Sequence, residues 1–262
     1  MGRCRRIRNN ICENRRNIII DTNALIHYTQ YLSETKYSNT EYHDIFRDFR
    51  ILFNIIIMQC SYRKLIASEI VLREEYQDTF IAKVRFLNEL DTYYQTRFTN
   101  VITDNLQTRM IDRNVITALR PIADDFSRRR RSAHIDNRDL SLLLAALEEL
   151  KDHPEWNFLI ITGDDSFRRF IPYIKRLNQI TLAGTTYMTS NINGTILLTL
   201  LTHLFTCCQF NEIFELRKDI FVRETKGKDD NVIRRKTNIY NKWYDNVYLP
   251  AVVKKRNYGV CV

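Results

Sequence analysis

The sequence predicts an α/β fold, namely a predominantly helical three-layer α/β/α sandwich with a short parallel sheet and a helical C-terminal extension. Short apolar runs typical of buried strands, at residues 18–20, 64–67 and 157–161, alternate with longer segments whose apolar residues recur at helical spacing. This alternation is typical of a parallel sheet with helices on both faces. The 262 residues include only 6 Gly and 4 Pro, which disfavours hairpin-rich β architectures and favours helices.

The predicted strands end on polar residues that can begin the helices after them. The strand at 18–20 runs into Asp21, and Thr22 or Asn23 can cap the next helix. Ser68 is expected to do the same after the second strand. The caps therefore place helix N-termini directly at the strand ends.

The rest of the chain contains further helices and one more strand. Residues 77–118 indicate two or three helices, and residues 136–151 predict a strong helix with Asp139 in its first turn. A fourth strand is expected at 179–182, and one long helix at 196–216. These elements divide the chain into a basic N-terminal arm, an α/β domain, and a helical C-terminal extension with a basic tail, at residues 1–16, 17–184 and 185–262.

The charge of the chain favours a polyanionic partner. Forty Lys and Arg against 31 Asp and Glu give a net charge of +9, which suits nucleic acid, RNA above all, before a membrane. The same charge can also serve contacts between copies of the protein. The candidate nucleic-acid-binding residues lie in the N-terminal arm and in an arginine run that we expect to form an exposed loop: Arg5, Arg6, Arg128, Arg129, Arg130 and Arg131.

Cysteine spacing and apolar runs bear on the compartment. The longest apolar run, residues 196–205, is too short to span a bilayer, and the N-terminal arm lacks the apolar core of a signal peptide. The 6 cysteines show neither CxxC pairs nor zinc-ligand spacing. We therefore expect a cytoplasmic or nuclear protein that is not secreted and not bound to a membrane.

Carboxylates occupy matching positions in the predicted strand and helix units. Asp21 and Asp164 each follow a buried strand, so both are expected at the same edge of the sheet. Glu74 and Asp139 lie on helices whose first turns can face that edge. Carboxylates that meet there would repel one another unless a cation such as Mg²⁺ or Mn²⁺ neutralised them. For each acid alone, the alternative is a helix cap or a solvated carboxylate in a first turn.

Four segments together resemble the motifs of PIN-domain ribonucleases. Residues 18–23, Ile-Ile-Ile-Asp-Thr-Asn, resemble the opening motif, and residues 68–74 resemble the second, which ends on a helical glutamate. Residues 139–146 are similar to the third, an aspartate followed by an apolar helix. Residues 159–167 resemble the fourth, a strand that ends in Thr-x-Asp with a phenylalanine shortly after. The resemblance covers residues 16–183 and implies the PIN-like fold.

The resemblance also implies roles for particular residues. The metal-binding and catalytic acids would be Asp21, Glu74, Asp139 and Asp164. The residues that orient them by hydrogen bonds would be Thr22, Asn23 and Thr162. Neighbouring acids compete for three of these positions: Glu75, Asp136 and Asp165.

The leading expectation is a Mg²⁺- or Mn²⁺-dependent ribonuclease whose arginines hold the RNA backbone. The alternative is a self-assembling viral structural protein, an occlusion-body or matrix lattice protein on the same fold, with no required catalysis. In that case we expect a homo-oligomer or larger assembly, with possible interchain disulfides from the terminal arms, at Cys4, Cys12 and Cys261. A third interpretation is a nucleic-acid-binding scaffold with an inactive nuclease site.

Overall fold

The computed structural model describes residues 16–31, 42–43, 45–47, 49–50, 65–130 and 133–195. The strands are β1 (Arg16–Ile20), β2 (Leu65–Ser68), β3 (Leu106–Arg109), β4 (Asn157–Ile161), β5 (Gln179–Leu182), β6 (Thr185–Met188) and β7 (Ile192–Thr195). The helices are α1 (Thr22–Tyr31), α2 (Glu69–Val71), a π-helix (Leu72–Thr79), α3 (Phe80–Lys83), α4 (Arg85–Asn88), α5 (Thr92–Thr103), α6 (Arg113–Arg129), α7 (Asn137–Asp152) and α8 (Asp165–Lys175). Helices alternate with short, mostly parallel strands, so the α/β class is confirmed.

Parallel strands form the centre of the domain. In the sheet with the order β1-β4-β7, Ile18 is paired with Leu159, and Leu159 with Asn193. Strands β2 and β3 form a second parallel pair, and β2 lies against β1. Because β1 and β4 are parallel neighbours in register, their carboxyl ends, and the residues that follow them, lie at the same edge of the sheet.

Helix α7 is the central helix of the domain. Its predicted apolar face, formed by Leu140, Leu143, Leu144 and Leu147, has no solvent exposure. The opposite face is also largely buried, because α7 contacts β2, β4, β6 and α6. A helix enclosed in this way holds its first turn in a fixed position relative to the strands.

Strands β3 and β5 differ from the sequence prediction. Strand β3 lies within the range 105–119, where the apolar spacing predicted a helix; the helix α6 begins only at Arg113. The predicted strand at 179–182 is present as β5, but it pairs antiparallel with β6 rather than joining the parallel sheet. The two-residue turn between them, Ala183 and Gly184, has positive φ at both positions, as a tight hairpin turn requires.

The predicted domain boundary at residue 184 lies before the last strand of the parallel sheet. Strand β7 is hydrogen-bonded to β4 along its length, so this sheet continues to residue 195. An isolated four-residue strand has little apolar periodicity, and pairing with β4 is what stabilises it.

Several predictions concern residues outside the described part of the chain. These are the basic arm with Arg5 and Arg6, the helical extension within 196–262, Arg131, and the cysteines Cys4, Cys12 and Cys261. The structural-protein alternative depends on those cysteines and stays a prediction. In the ranges that the structure describes, no helix is both long and apolar enough to cross a membrane.

Candidate functional site

Three helix N-termini meet at the carboxyl edge of the parallel sheet. They belong to α1, α7 and α8, and they open onto a cleft of about 120 Å³. Four aspartates line this cleft, Asp21, Asp136, Asp139 and Asp164. Three of the four acids predicted from the sequence therefore share one site, and the fourth aspartate is one of the competing neighbours.

Asp21 is held at the end of β1. It is 2% exposed, and its backbone N–H donates to the carbonyl of Ile161 at 2.8 Å. The Thr162 hydroxyl donates to Asp21 Oδ2 at 2.6 Å and accepts the backbone N–H of Asp164 at 2.9 Å. Thr162 therefore links the Asp21 carboxylate to the backbone of Asp164.

Thr22 and Asn23 are placed differently from Thr162. The backbone N–H of Asn23 donates to Asp21 Oδ1 at 3.3 Å, so Asp21 also caps α1. The Thr22 side chain is 1% exposed, and within the described ranges its Oγ1 has no hydrogen-bond partner. The hydrogen bond by which Thr22 was expected to orient an acid is therefore not found.

Asp164 and Asp165 have separate tasks. Asp164 Oδ1 caps α8 by accepting the backbone N–H groups of Ser166 at 2.5 Å and Phe167 at 3.1 Å. Asp165 instead pairs with Arg168 at 2.5 Å and Arg169 at 2.6 Å. Only Asp164 lines the cleft.

Asp136 and Asp139 form a capping box at the start of α7. Asp136 Oδ1 accepts the backbone N–H groups of Arg138 and Asp139 at 2.8 and 2.9 Å, and the Arg138 guanidinium binds Asp136 Oδ2 at 3.0 and 2.7 Å. In return, Asp139 Oδ2 accepts the backbone N–H of Asp136 at 3.1 Å. Burial alone would raise the pKa of Asp136, but the hydrogen bonds from Asp139 and Arg138 outweigh it and lower that pKa.

Asp139 has a carboxyl group whose pKa is strongly raised. Burial, as the largest cause, and the charges of Asp21, Asp136 and Asp164 together raise its pKa to about 8. The hydrogen bond from the Asp136 backbone opposes this rise without cancelling it. Asp139 is therefore largely protonated at neutral pH when no cation is bound.

We expect the metal-free protein to lose stability as pH rises from about 4 to about 8. In this window the folded state keeps the Asp139 proton and the unfolded state, with a pKa of about 3.9, does not, so stability falls by up to ~1.4 kcal/mol per pH unit. Asp139→Asn, which keeps an oxygen for the capping box, should flatten this slope. Urea unfolding in EDTA at pH 5 and pH 8 measures the effect, and equal slopes in both proteins would contradict it.

Glu74 lies in the π-helix, and its side chain is outside the described part of the structure. The same holds for Glu75, so the competition between the two stays open. The backbone places both residues between Ser68, at the end of β2, and Thr79, which lines the cleft.

The cleft contains polar and cationic residues that the sequence did not single out. These are Thr79, Lys83, His134, Arg138 and Ser166. Lys83 ends a four-residue helix and carries no motif that distinguishes it from other exposed lysines. Arg138 and Ser166 lie one and two positions from the predicted acids Asp139 and Asp164. Their closeness to these acids in the first turn of a helix was the signal that could have indicated them.

The first two arginines of the run lie on a helix end rather than in a loop. Arg128 and Arg129 form the last turn of α6, are 78% and 69% exposed, and lie 3.8 and 2.9 Å from Asp125. Arg130 follows as the C-cap residue and is exposed. The predicted loop is wrong for Arg128 and Arg129, because a helix C-terminus favours cations and Asp125, one turn earlier, offsets their repulsion.

The helix caps use part of the donor set of this site, since Asp21, Asp136 and Asp164 each direct an oxygen at backbone N–H groups of a different helix. In residues 16–31, 42–50, 65–130 and 133–195, as far as they are described, no three His, Cys, Asp or Glu side chains are arranged so that they could hold a metal ion.

Comparisons with family models, with curated proteins and with solved structures find no significant match for this chain. The resemblance to PIN-domain ribonucleases therefore stays a prediction from the sequence motifs.

Proposed function

We propose that this protein is a divalent-metal-dependent ribonuclease that hydrolyses RNA phosphodiesters on a PIN-like three-layer sandwich. The observation that supports this most strongly is the meeting of Asp21, Asp139 and Asp164 in one cleft at the carboxyl edge of the sheet. Helix capping accounts for each carboxylate singly, but it does not require three capped helices to open onto the same cleft.

The donor set suits Mg²⁺ or Mn²⁺ in kind. The cleft offers carboxylate and hydroxyl oxygens, which such cations prefer. Burial and the neighbouring carboxylates raise the pKa of Asp139, and a cation would offset both effects. A bound cation would favour the ionised form of Asp139.

The residues of the cleft would have different roles in hydrolysis. Asp21, Asp139 and Asp164 would hold the cation, which activates water and stabilises the charge that develops on the phosphate. Thr162 keeps Asp21 and Asp164 oriented through its two hydrogen bonds. Lys83 and Arg138 place positive charge in the cleft, where a phosphodiester would enter. The arginines at the end of α6 would bind more distant phosphates.

The direct test is RNA cleavage by the purified full-length protein with Mg²⁺, with Mn²⁺, and with EDTA. We expect cleavage with either cation and none with EDTA. Cleavage that persists in EDTA, or no cleavage of structured or unstructured RNA in any condition, would count against the proposed function.

The arginine end of α6 gives a test of RNA binding. Replacing Arg128 and Arg129 by Ala should weaken binding and lower the slope of log affinity against log salt by ~0.7 for each phosphate that the variant no longer binds. Arg85→Ala, at an exposed position on α4, is the matched control and should leave the slope unchanged. Fluorescence anisotropy with a single-stranded RNA across salt concentrations measures both. Equal slopes for all three proteins would mean that these arginines do not bind phosphates.

A further inference from the structure

One segment of the chain, residues 68–79, is hydrogen-bonded to the two elements that carry Asp21 and Asp139. It consists of Ser68, the short helix α2 and the π-helix. Ser68, at its start, makes a buried contact to α7, and Tyr76 makes a buried contact to β1. The sequence predicts a helix cap for Ser68 and gives no role to Tyr76 or Ser141.

The first end of the segment contacts α7. The Ser68 hydroxyl lies 2.7 Å from the Ser141 hydroxyl, and both side chains have no solvent exposure. Ser141 donates to the carbonyl of Arg138 at 2.8 Å, so Ser68 is the donor between the two serines. Ser68 Oγ in turn accepts the backbone N–H of Val71 at 3.1 Å, which caps α2. The first turn of α7, with Asp139 in it, is therefore linked to the start of the segment.

The second end of the segment contacts β1. Tyr76 has no solvent exposure, and its hydroxyl donates to the carbonyl of Ile20, the last residue of β1. Asp21 is the next residue along the chain. The Tyr76 hydroxyl therefore holds the peptide unit from which the Asp21 side chain projects.

The π-helix is what directs Tyr76 to β1. Val71 and Tyr76 are both completely buried, although they lie five residues apart. In an α-helix five residues turn the chain by about 500°, which would place the two side chains about 140° apart on the helix surface. In a π-helix the bonds join residues five apart, so both side chains lie close to the same face. An α-helical turn in this place would move Tyr76 away from Ile20.

We propose that Ser68, Tyr76 and Ser141 are positioning residues that set the separation of Asp21 and Asp139 through the 68–79 segment. This inference rests on the proposed function, because the separation matters only if the two carboxylates act on one cation. Tyr76 binds the carbonyl directly before Asp21, and Ser68 binds Ser141, which in turn binds the first turn of α7. The two buried contacts therefore hold the backbone beside both acids in place before any cation is bound.

The test compares three variants with the full-length wild-type protein. Tyr76→Phe removes the hydroxyl at one end of the segment, and Ser141→Ala removes the hydroxyl at the other. Tyr187→Phe is the matched control, because Tyr187 is also a buried tyrosine, but its hydroxyl binds Glu148 on α7, away from the cleft. Mn²⁺ affinity is measured by calorimetry, and kcat and KM by RNA cleavage.

Tyr76→Phe and Ser141→Ala should each weaken Mn²⁺ binding ~10- to 100-fold and lower kcat at fixed Mn²⁺ by a similar factor, with KM for RNA nearly unchanged. Ser141→Thr, which keeps the hydroxyl, should restore most of the affinity, and Tyr187→Phe should resemble wild type. If Tyr76→Phe and Ser141→Ala both bind Mn²⁺ with the same affinity as Tyr187→Phe, while the wild-type protein cleaves RNA, this inference fails and the proposed function stands.

Two other outcomes also decide the matter. If neither deletion variant folds where Tyr187→Phe does, the contacts support the fold as a whole and the positioning role is wrong. If one alone fails to fold, the other gives the answer. A wild-type protein that neither binds Mn²⁺ nor cleaves RNA would overturn the proposed function together with this inference.

Discussion

Asp21→Asn is expected to abolish metal-dependent RNA cleavage, with a loss of ~10³-fold or more, equal to about 4 kcal/mol of transition-state stabilisation. The asparagine can still accept the Asn23 N–H and cap α1, so the fold should be retained. The thermal stability of the metal-free protein should stay the same or rise, because one of four neighbouring carboxylates has been removed. Single-turnover cleavage assays and thermal melts in EDTA measure the two effects.

Asp165→Asn is the matched control for this variant. Asp165 lies next to Asp164 but pairs with Arg168 and Arg169 outside the cleft, so this change should leave cleavage within about twofold of wild type, a difference of under ~0.5 kcal/mol. Cleavage that survives in Asp21→Asn would place the activity in another part of the protein or in a contaminant.

Phe167→Ala is expected to destabilise the protein by ~3–5 kcal/mol, a large share of the ~5–15 kcal/mol typical of a domain. Phe167 has no solvent exposure and lies in the first turn of α8, directly after the residues that form the cleft. Removing its ring leaves a cavity that rigid neighbours can fill only in part. Urea unfolding monitored by circular dichroism at fixed pH gives the free energy of unfolding.

The control for the core variant is Met110→Ala. Met110 is 76% exposed, so its truncation should change the free energy of unfolding by less than ~0.5 kcal/mol. A similar small change in Phe167→Ala would mean that α8 is not held against the sheet by this ring.

Local patterns were sufficient for the elements that carry the acids. The buried run 157–161 and the cap Ser68 appear where the sequence predicts them, and the leucine face of α7 is buried as expected. These features depend on residues a few positions apart, where apolar periodicity and side-chain capping act. The meeting of Asp21 and Asp164 at one edge then follows from the parallel pairing of β1 with β4.

The elements that the sequence missed depend on distant partners. Strand β3 has only one buried residue, Leu106, and is stabilised by pairing with β2 about forty residues earlier. Strand β7 is defined by β4 in the same way. The β5–β6 turn uses Ala183-Gly184 in place of the Asn-Gly or Asp-Gly pair that makes hairpins recognisable.

The same limit applies to the site. The sequence indicated which acids follow strands, but it could not indicate that Lys83 would line the cleft. The position of Lys83 depends on how α3 is packed in the domain. The π-helix was not predicted either, because its buried residues lie five positions apart and do not follow the period of about 3.6 residues of an α-helix.

The three helix N-termini at the cleft have a consequence for what this backbone can bind. Each one carries a partial positive charge of about half an elementary charge, and these charges belong to the main chain. The four aspartates mask them and make the cleft acidic. If Asn or Ser took the place of the aspartates, the caps would remain while the sign of the local potential would reverse. The same backbone would then favour a phosphate or sulfate anion over a cation. A few substitutions would therefore separate the proposed cation-binding site from an anion receptor, without any change in fold.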